Sequence, residues 1–228
     1  MEKHGSNANE RKETLKMSIT KQHILVLTSG GVDSCILLGD ALRKGLVVWP
    51  VYIQKGLRWE KAEIYWLKRF LRVLKSPHLK PLTILKQELK DLYPNHWMYR
   101  GKGVPNYASA DQQVEIPGRN LLMLAKAALF CRQKNIHEIW LGTLKGNPFP
   151  DATQKFFQLY EKLIAQGLRY KIKIKAPFIN KTKKVILGSG KGLPLHLTFS
   201  CLNPHGIQPC RQCNKCAEKD KTRKILHP

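Results

Sequence analysis

The feature that most restricts the fold is the break inside ILVLTSGGVDSCILLGDAL, residues 24–42. Ile24-Leu25-Val26-Leu27 is short and apolar at every position, the pattern of a strand buried on both faces of a parallel sheet. Beyond Ser34, apolar residues at 37, 38, 41 and 42 repeat at helical spacing. Between the two stand Thr28-Ser29-Gly30-Gly31, so a buried strand passes into a helix through a turn of small residues. Glycine there lets the backbone take positive φ and admits a ligand close to the chain. The helix start adds free N–H groups and the positive end of its dipole. With Ser29 and Ser34 framing Asp33, the junction reads as a phosphate cradle; an ordinary tight βα turn is the plainer alternative. It is not a Walker A loop, because no Gly-Lys-Ser/Thr closes it. GSGKG at 188–192 does hold a Gly-Lys pair, but Gly192 follows where Ser or Thr is needed, and a turn is the better reading.

Further along, residues 46–53 read as a second strand, 60–74 as an amphipathic helix and 81–85 as a third strand. Residues 93–118 hold three prolines and little periodicity, the mark of a long irregular segment of the kind that often serves as a lid. A helix over 120–131 and a fourth strand over 136–141 follow, the strand delivering Gly142-Thr143. Strands separated by helices predict an α/β fold with a doubly wound parallel sheet, Rossmann-like in plan. Ligands of such sheets bind beyond the carboxyl ends of the strands, which gathers 28–34, the residues after Ile53 and 142–151 around one crevice.

The polar stretch 1–20 is expected to be a disordered tail, with Met17 a second plausible start. An ATP-binding α/β domain is expected over 21–195 and a metal-binding element over 196–228. No apolar run approaches a membrane span and no signal-peptide pattern opens the chain, so a cytoplasmic location with no membrane partner is the default.

Lys and Arg number 40 against 16 Asp and Glu, a net charge of +24, and residues 171–191 carry seven lysines and no acid. Nucleic acid is the sharp explanation and a solvated basic surface the plain one. Only Phe178 interleaves the lysines, which argues against base stacking. Cys201, Cys210, Cys213 and Cys216 follow the spacing C-x8-C-x2-C-x2-C. Four thiolates so placed can grip one tetrahedral ion, and structural Zn²⁺, one per chain, is the expected occupant. An iron–sulfur cluster uses the same ligand chemistry. His205 is an alternative ligand, but the four sulfurs already fill the shell. The metal should fold its own segment, and its loss should leave nucleotide binding intact in whatever fraction stays folded. Cys35 and Cys131 lie on apolar helix faces and read as packing residues.

SGGVDS after a strand resembles the pyrophosphate loop of the adenine-nucleotide α-hydrolase superfamily. PGRNLLMLAKAA (117–128), PLHLTFSC (194–201) and the cysteine spacing narrow the resemblance to the 7-cyano-7-deazaguanine synthase family, over about residues 22–218. That resemblance implies an ATP-dependent ligase of queuosine-type biosynthesis. A 7-carboxy-7-deazaguanine is activated by ATP, ammonia displaces the nucleotide to give an amide, and a second activation dehydrates the amide to a nitrile. It implies ATP binding by Thr28, Ser29, Gly30, Gly31, Val32, Asp33, Ser34 and Gly142, with Asp33 helping to place Mg²⁺. Asp33 and Arg119 become the expected catalytic residues, Arg119, Asn120 and Asp151 the expected substrate-binding ones, and the four cysteines the zinc ligands. A homodimer is the expected assembly. The chain departs from the family pattern at Ile53-Gln54-Lys55-Gly56-Leu57-Arg58-Trp59-Glu60, where Tyr-Gly-Gln-Arg-His is usual, and over 142–151 after the fourth strand, where Gly-Val-Asn is usual.

Two other functions stay in view. A tRNA-modifying ATP pyrophosphatase, such as a thiolating enzyme, would use the basic charge, but no cysteine outside the cluster sits in an evident reactive loop. A zinc-stabilised nucleic-acid-binding module would leave the phosphate cradle without a purpose.

Overall fold

The computed structural model describes residues 21–226; the tail over 1–20 lies outside them. Five strands, β1 (His23–Leu27), β2 (Val47–Gln54), β3 (Thr83–Lys86), β4 (Glu138–Trp140) and β5 (Lys173–Lys175), form one sheet in the order β3-β2-β1-β4-β5. Every pair is parallel. The helices are α1 (Val32–Arg43), α2 (Glu60–Val73), α3 (Trp97–Arg100), α4 (Arg119–Lys134), α5 (Gln154–Leu168), α6 (Lys183–Ser189) and α7 (Asn214–Leu226).

The apolar run of β1 makes it the central strand. Its alternation sends Ile24 and Val26 to one face, against Ile36 and Leu37 of α1 and Ile186 of α6. Leu25 and Leu27 go to the other face, against Leu124 of α4 and Phe157 and Ile164 of α5. Ile24, Leu25 and Val26 are fully buried, each contributing about 1.5–3 kcal/mol relative to exposure. Cys35 and Cys131 are fully buried in these layers as packing residues, and burial pushes both thiols up. Among the described residues no helix is long and apolar enough to cross a membrane.

The third strand begins later than its apolar pattern predicts. Pro81 has no N–H to donate, so the chain makes an isolated bridge at Leu79 and enters the ladder only at Thr83. β5 was not legible, being three residues inside the lysine run. Ile174 points into the core while Lys173 and Lys175 stay out, and charged side chains on an edge strand discourage further pairing. Three of the seven lysines of the run are drawn into separate ion pairs. Lys173 pairs with Glu161, Lys175 with Glu138, and Lys183 with Asp33 and Glu218.

The irregular segment 93–118 differs from a lid. It buries Met98, Val114 and Ile116 in a third cluster with Leu57, Trp59, Phe199 and the cysteines. Asn106 bridges to Cys213, and the Asn214 side-chain amide donates to the Ser109 carbonyl at 2.6 Å. The segment is a brace for the C-terminal element.

Candidate active site

The sheet order reverses between β1 and β4: from β1 the chain moves to β2 and β3 on one side, and β4 and β5 fill the other. A crevice opens at the carboxyl ends of strands at such a switch point. Here it is a cleft of about 330 Å³. Thr28, Ser29, Gly31, Val32, Asp33, Ser34, Arg119, Asn120 and Gly142 all line it.

Two expected members sit just behind the wall. Gly30 takes φ +80°, and a Cβ there would stand 3.2 Å from Leu67 and 3.3 Å from the Glu63 carbonyl of α2. Its role is to let the loop turn against α2. Asp151 holds the start of α4: its carboxylate accepts from the Asn120 backbone N–H at 2.8 Å and side-chain amide at 3.0 Å. Asp151 therefore positions Asn120 rather than facing the cleft. Gly142 packs closely on the cradle: a Cβ there would touch the Asp33 and Ser34 backbone at 3.4 Å, ordinary contact distance.

The cradle fits a phosphate. Gly31 precedes α1 with no side-chain cap, so the first-turn N–H groups remain available to an anion. Ser34 Oγ donates to the Gly31 carbonyl at 3.0 Å and accepts from the Ser29 N–H at 3.3 Å, which fixes the loop from within. From outside, the Phe199 N–H donates to the Gly30 carbonyl at 2.9 Å. Ser200 Oγ lies 3.5 Å from where a Gly31 Cβ would be.

Sequence reading missed the charged groups that surround Asp33. Lys183 Nζ reaches Asp33 at 2.7 and 2.8 Å and Glu218 at 2.8 Å, and Glu218 also pairs with Lys215 at 2.8 Å. Burial raises Asp33 above the usual carboxylate range despite Lys183. Burial would raise Glu218 too, but Lys215 and Lys183 outweigh it and hold that carboxyl down at about 2. Burial lowers Lys183, and its two acids more than restore it, so its charge is secure. The available signals were faint: Lys183 starts a short helix after Thr182, and Glu218 is an acid in a basic stretch.

The opposite wall carries a second cluster that the sequence reading did not single out. Lys55 is 8% exposed, and its Nζ donates to the Ile53 carbonyl at 2.8 Å. Glu63 accepts from the Tyr52 hydroxyl at 2.5 Å. Glu60 accepts the Lys55 and Gly56 N–H groups at 2.6 and 2.8 Å and so shapes the loop after β2. Burial drives Lys55 down to about 8 and Glu63 up to about 8.

The four cysteine sulfurs lie within 4.8 Å of one another. Cys201–Cys210 and Cys213–Cys216 stand 3.5 Å apart, Cys210–Cys216 3.9 Å and Cys201–Cys213 4.0 Å. Four sulfurs at about 2.3 Å from one tetrahedral ion would be spaced by about 3.8 Å, so the set can hold a metal ion. The Leu202 and Cys210 N–H groups donate to Cys213 and Cys201 sulfurs at 3.3 and 3.2 Å, which suits thiolates.

This combination of cradle, cleft and cysteine set meets an independent comparison. A family model described as "Queuosine biosynthesis protein QueC" matches residues 23–225. The chain belongs to the QueC family. The 7-cyano-7-deazaguanine synthase of Leptospira interrogans is 30% identical to it, the match covering 95% of each chain. The 7-cyano-7-deazaguanine synthase 1 of Desulfitobacterium hafniense is 28% identical over 88% of this chain and 91% of that one. The enzyme of that name from Methanocaldococcus jannaschii is 26% identical over 86% and 92%. This QueC chain thus spans nearly the whole length of these relatives.

Proposed function

We propose that the chain is an ATP-dependent carbon–nitrogen ligase that converts 7-carboxy-7-deazaguanine and ammonia to 7-cyano-7-deazaguanine. The observation that carries the reading is the uncapped start of α1 opening, at the sheet's switch point, into a cleft whose far wall holds Lys55 and Arg119. ATP supplies the activation that turns a carboxylate or amide oxygen into a leaving group. The chain's own part is to position the reactants and to stabilise charge. The α1 N–H groups and Ser29 hold the phosphates, and Lys183 moves from Asp33 to neutralise them. Asp33 and Glu218, once released, are the carboxylates available to Mg²⁺. Arg119 meets the charge of the acid. The cysteines hold structural Zn²⁺, since four thiolates leave no open position for water or substrate. Sulfurs gathered this closely suit one ion better than an iron–sulfur cluster, whose ligands must spread around several irons.

Incubation of the purified protein with ATP, ammonium and the acid should give the nitrile by mass analysis with no RNA present. Turnover only when tRNA is added would replace this reading by the tRNA-modifying one. Three of the seven 171–191 lysines are engaged in separate ion pairs, which supports the free-base substrate.

The role of Lys183 has its own test. Lys183→Gln should weaken ATP binding by about 10²-fold, because a secure cation beside the cradle is lost and two carboxylates are left facing the phosphates. Calorimetric titration with ATP reads this directly; unchanged affinity would remove Lys183 from the phosphate site.

A further inference from the structure

The cleft wall away from the cradle holds two cations, Lys55 and Arg119, that have carboxylates in their surroundings but no direct ion pair among the described residues. Arg119 is at the start of α4, its guanidinium 5.9 Å from the Phe149 ring. Among the described residues no carboxylate lies within ion-pairing distance of it. Lys55 Nζ likewise has no ion pair within that distance; it rests on one backbone carbonyl and, at 3.7 Å, the Met123 sulfur. Burying a cation is costly unless a counter-charge pairs with it and its donors are all received, and the three donors of the Lys55 ammonium meet one oxygen acceptor among the described residues. A buried ion that remains unpaired at the wall of a cleft marks a place for an anion. The nearby acids are already committed: Glu60 to the backbone of its own loop, Glu63 to Tyr52 and Asp151 to Asn120.

We propose that the Lys55 ammonium joins the Arg119 guanidinium in receiving the carboxylate of the acid substrate, so that Lys55 is a specificity-determining residue for the acid. The inference rests on the ligase reading and deepens it. That reaction uses the site twice, first on an anionic acid and then on a neutral amide, and it releases a neutral nitrile. A paired-cation receptor grips the first of these and has little hold on the last. Lys55 is thereby a recognition residue for one half-reaction only, which a merely structural lysine would not be.

The charged or titratable groups facing Lys55 are Glu60 and Glu63 of α2, Tyr52 of β2 and Arg119 of α4. Burial and the like charge of Arg119 lower Lys55, while Glu60 and Glu63 raise it. An arriving carboxylate favours the charged lysine, and it disfavours charge on Glu63. Both effects take up protons, so acid binding near pH 8 should be accompanied by proton uptake and nitrile binding should not.

The experiment compares the acid and the amide as alternative starting substrates, each with ATP, in wild type and in Lys55→Met. Methionine keeps the length and apolar stem of the side chain without its charge. The expected result is a rise of about 10- to 100-fold in KM for the acid, with KM for the amide within about twofold and ATP affinity unchanged. Lys55→Arg should restore most of the acid's KM. Equal losses on acid and amide, or an unchanged KM for the acid, would overturn the assignment. Wild-type protein that converts neither compound would overturn the ligase reading itself, and with it this inference. If Lys55→Met does not fold, calorimetry on wild type at pH 8 in two buffers of different ionisation enthalpy decides. Proton uptake with the acid and none with the nitrile supports the receptor, and equal uptake with both rejects it.

Discussion

Gly31→Val should lower ATP turnover by on the order of 10³-fold while the protein stays folded. The two glycines of the loop differ in what they ask of the backbone. Gly30 sits at φ +80°, pressed on α2, so any side chain there is strained and the cost falls on the fold. Gly31 has φ −71° and ψ 161°, a conformation open to any residue. What it lacks is room: a Cβ would stand 3.3 Å from Ser29 Oγ and 3.5 Å from Ser200 Oγ, at the mouth of the cradle. Two further methyl groups would cover the N–H groups that α1 offers. Circular dichroism and thermal melting should match wild type while ATP binding is lost. Retained ATP-dependent product formation would falsify the assignment of the loop.

Cys213→Ser should strip the metal, destabilise the chain by more than about 4 kcal/mol and lower Tm by roughly 8–16 °C. Binding of a thiolate-held ion and folding of its segment are one event. Cys213 and Cys216 are buried in the same cluster as Met98, Val114 and Ile116, so the brace over 93–118 should loosen too. Metal analysis should find about one zinc per wild-type chain, with no iron–sulfur absorbance, and much less in the variant. From sequence the metal element looked independent of nucleotide binding. The geometry ties them together, because Phe199 is bonded to the outer side of the cradle and Ser200 lies against it, directly before Cys201. The folded fraction of the variant should therefore also bind ATP more weakly. Full stability and full ATP affinity after metal loss would sink the structural role.

The cradle was legible because its information is local. Strand, small-residue turn and helix follow one another within 19 residues, and backbone conformation and N–H exposure need no distant partner. The cysteine set was legible for the same reason, through spacing alone. Lys183 was not: its meaning comes from Asp33, 150 residues earlier, and in sequence it is one lysine among seven. Lys55 and Glu63 were hidden by burial, since nothing in QKGLRWEKAE tells which charges turn inward. The helix α7 was hidden inside the expected metal-binding element, because its sequence carries no amphipathic stripe. It is held instead by Cys213 and Cys216 at its start and by the Glu218 ion pairs.

The strap from Phe199 to Gly30 has a bearing on how the protein comes into being. The loop lies before residue 35, yet the groups that hold its outer side and neutralise its ligand lie beyond residue 180 and so leave a ribosome later. A nascent chain that has emerged only to residue 180 has β1, the glycines and α1, but neither Lys183 nor Ser200 nor the cysteine wall. Such a chain should be unable to hold ATP. Nucleotide binding should therefore begin only once the chain beyond residue 200 has closed on the loop.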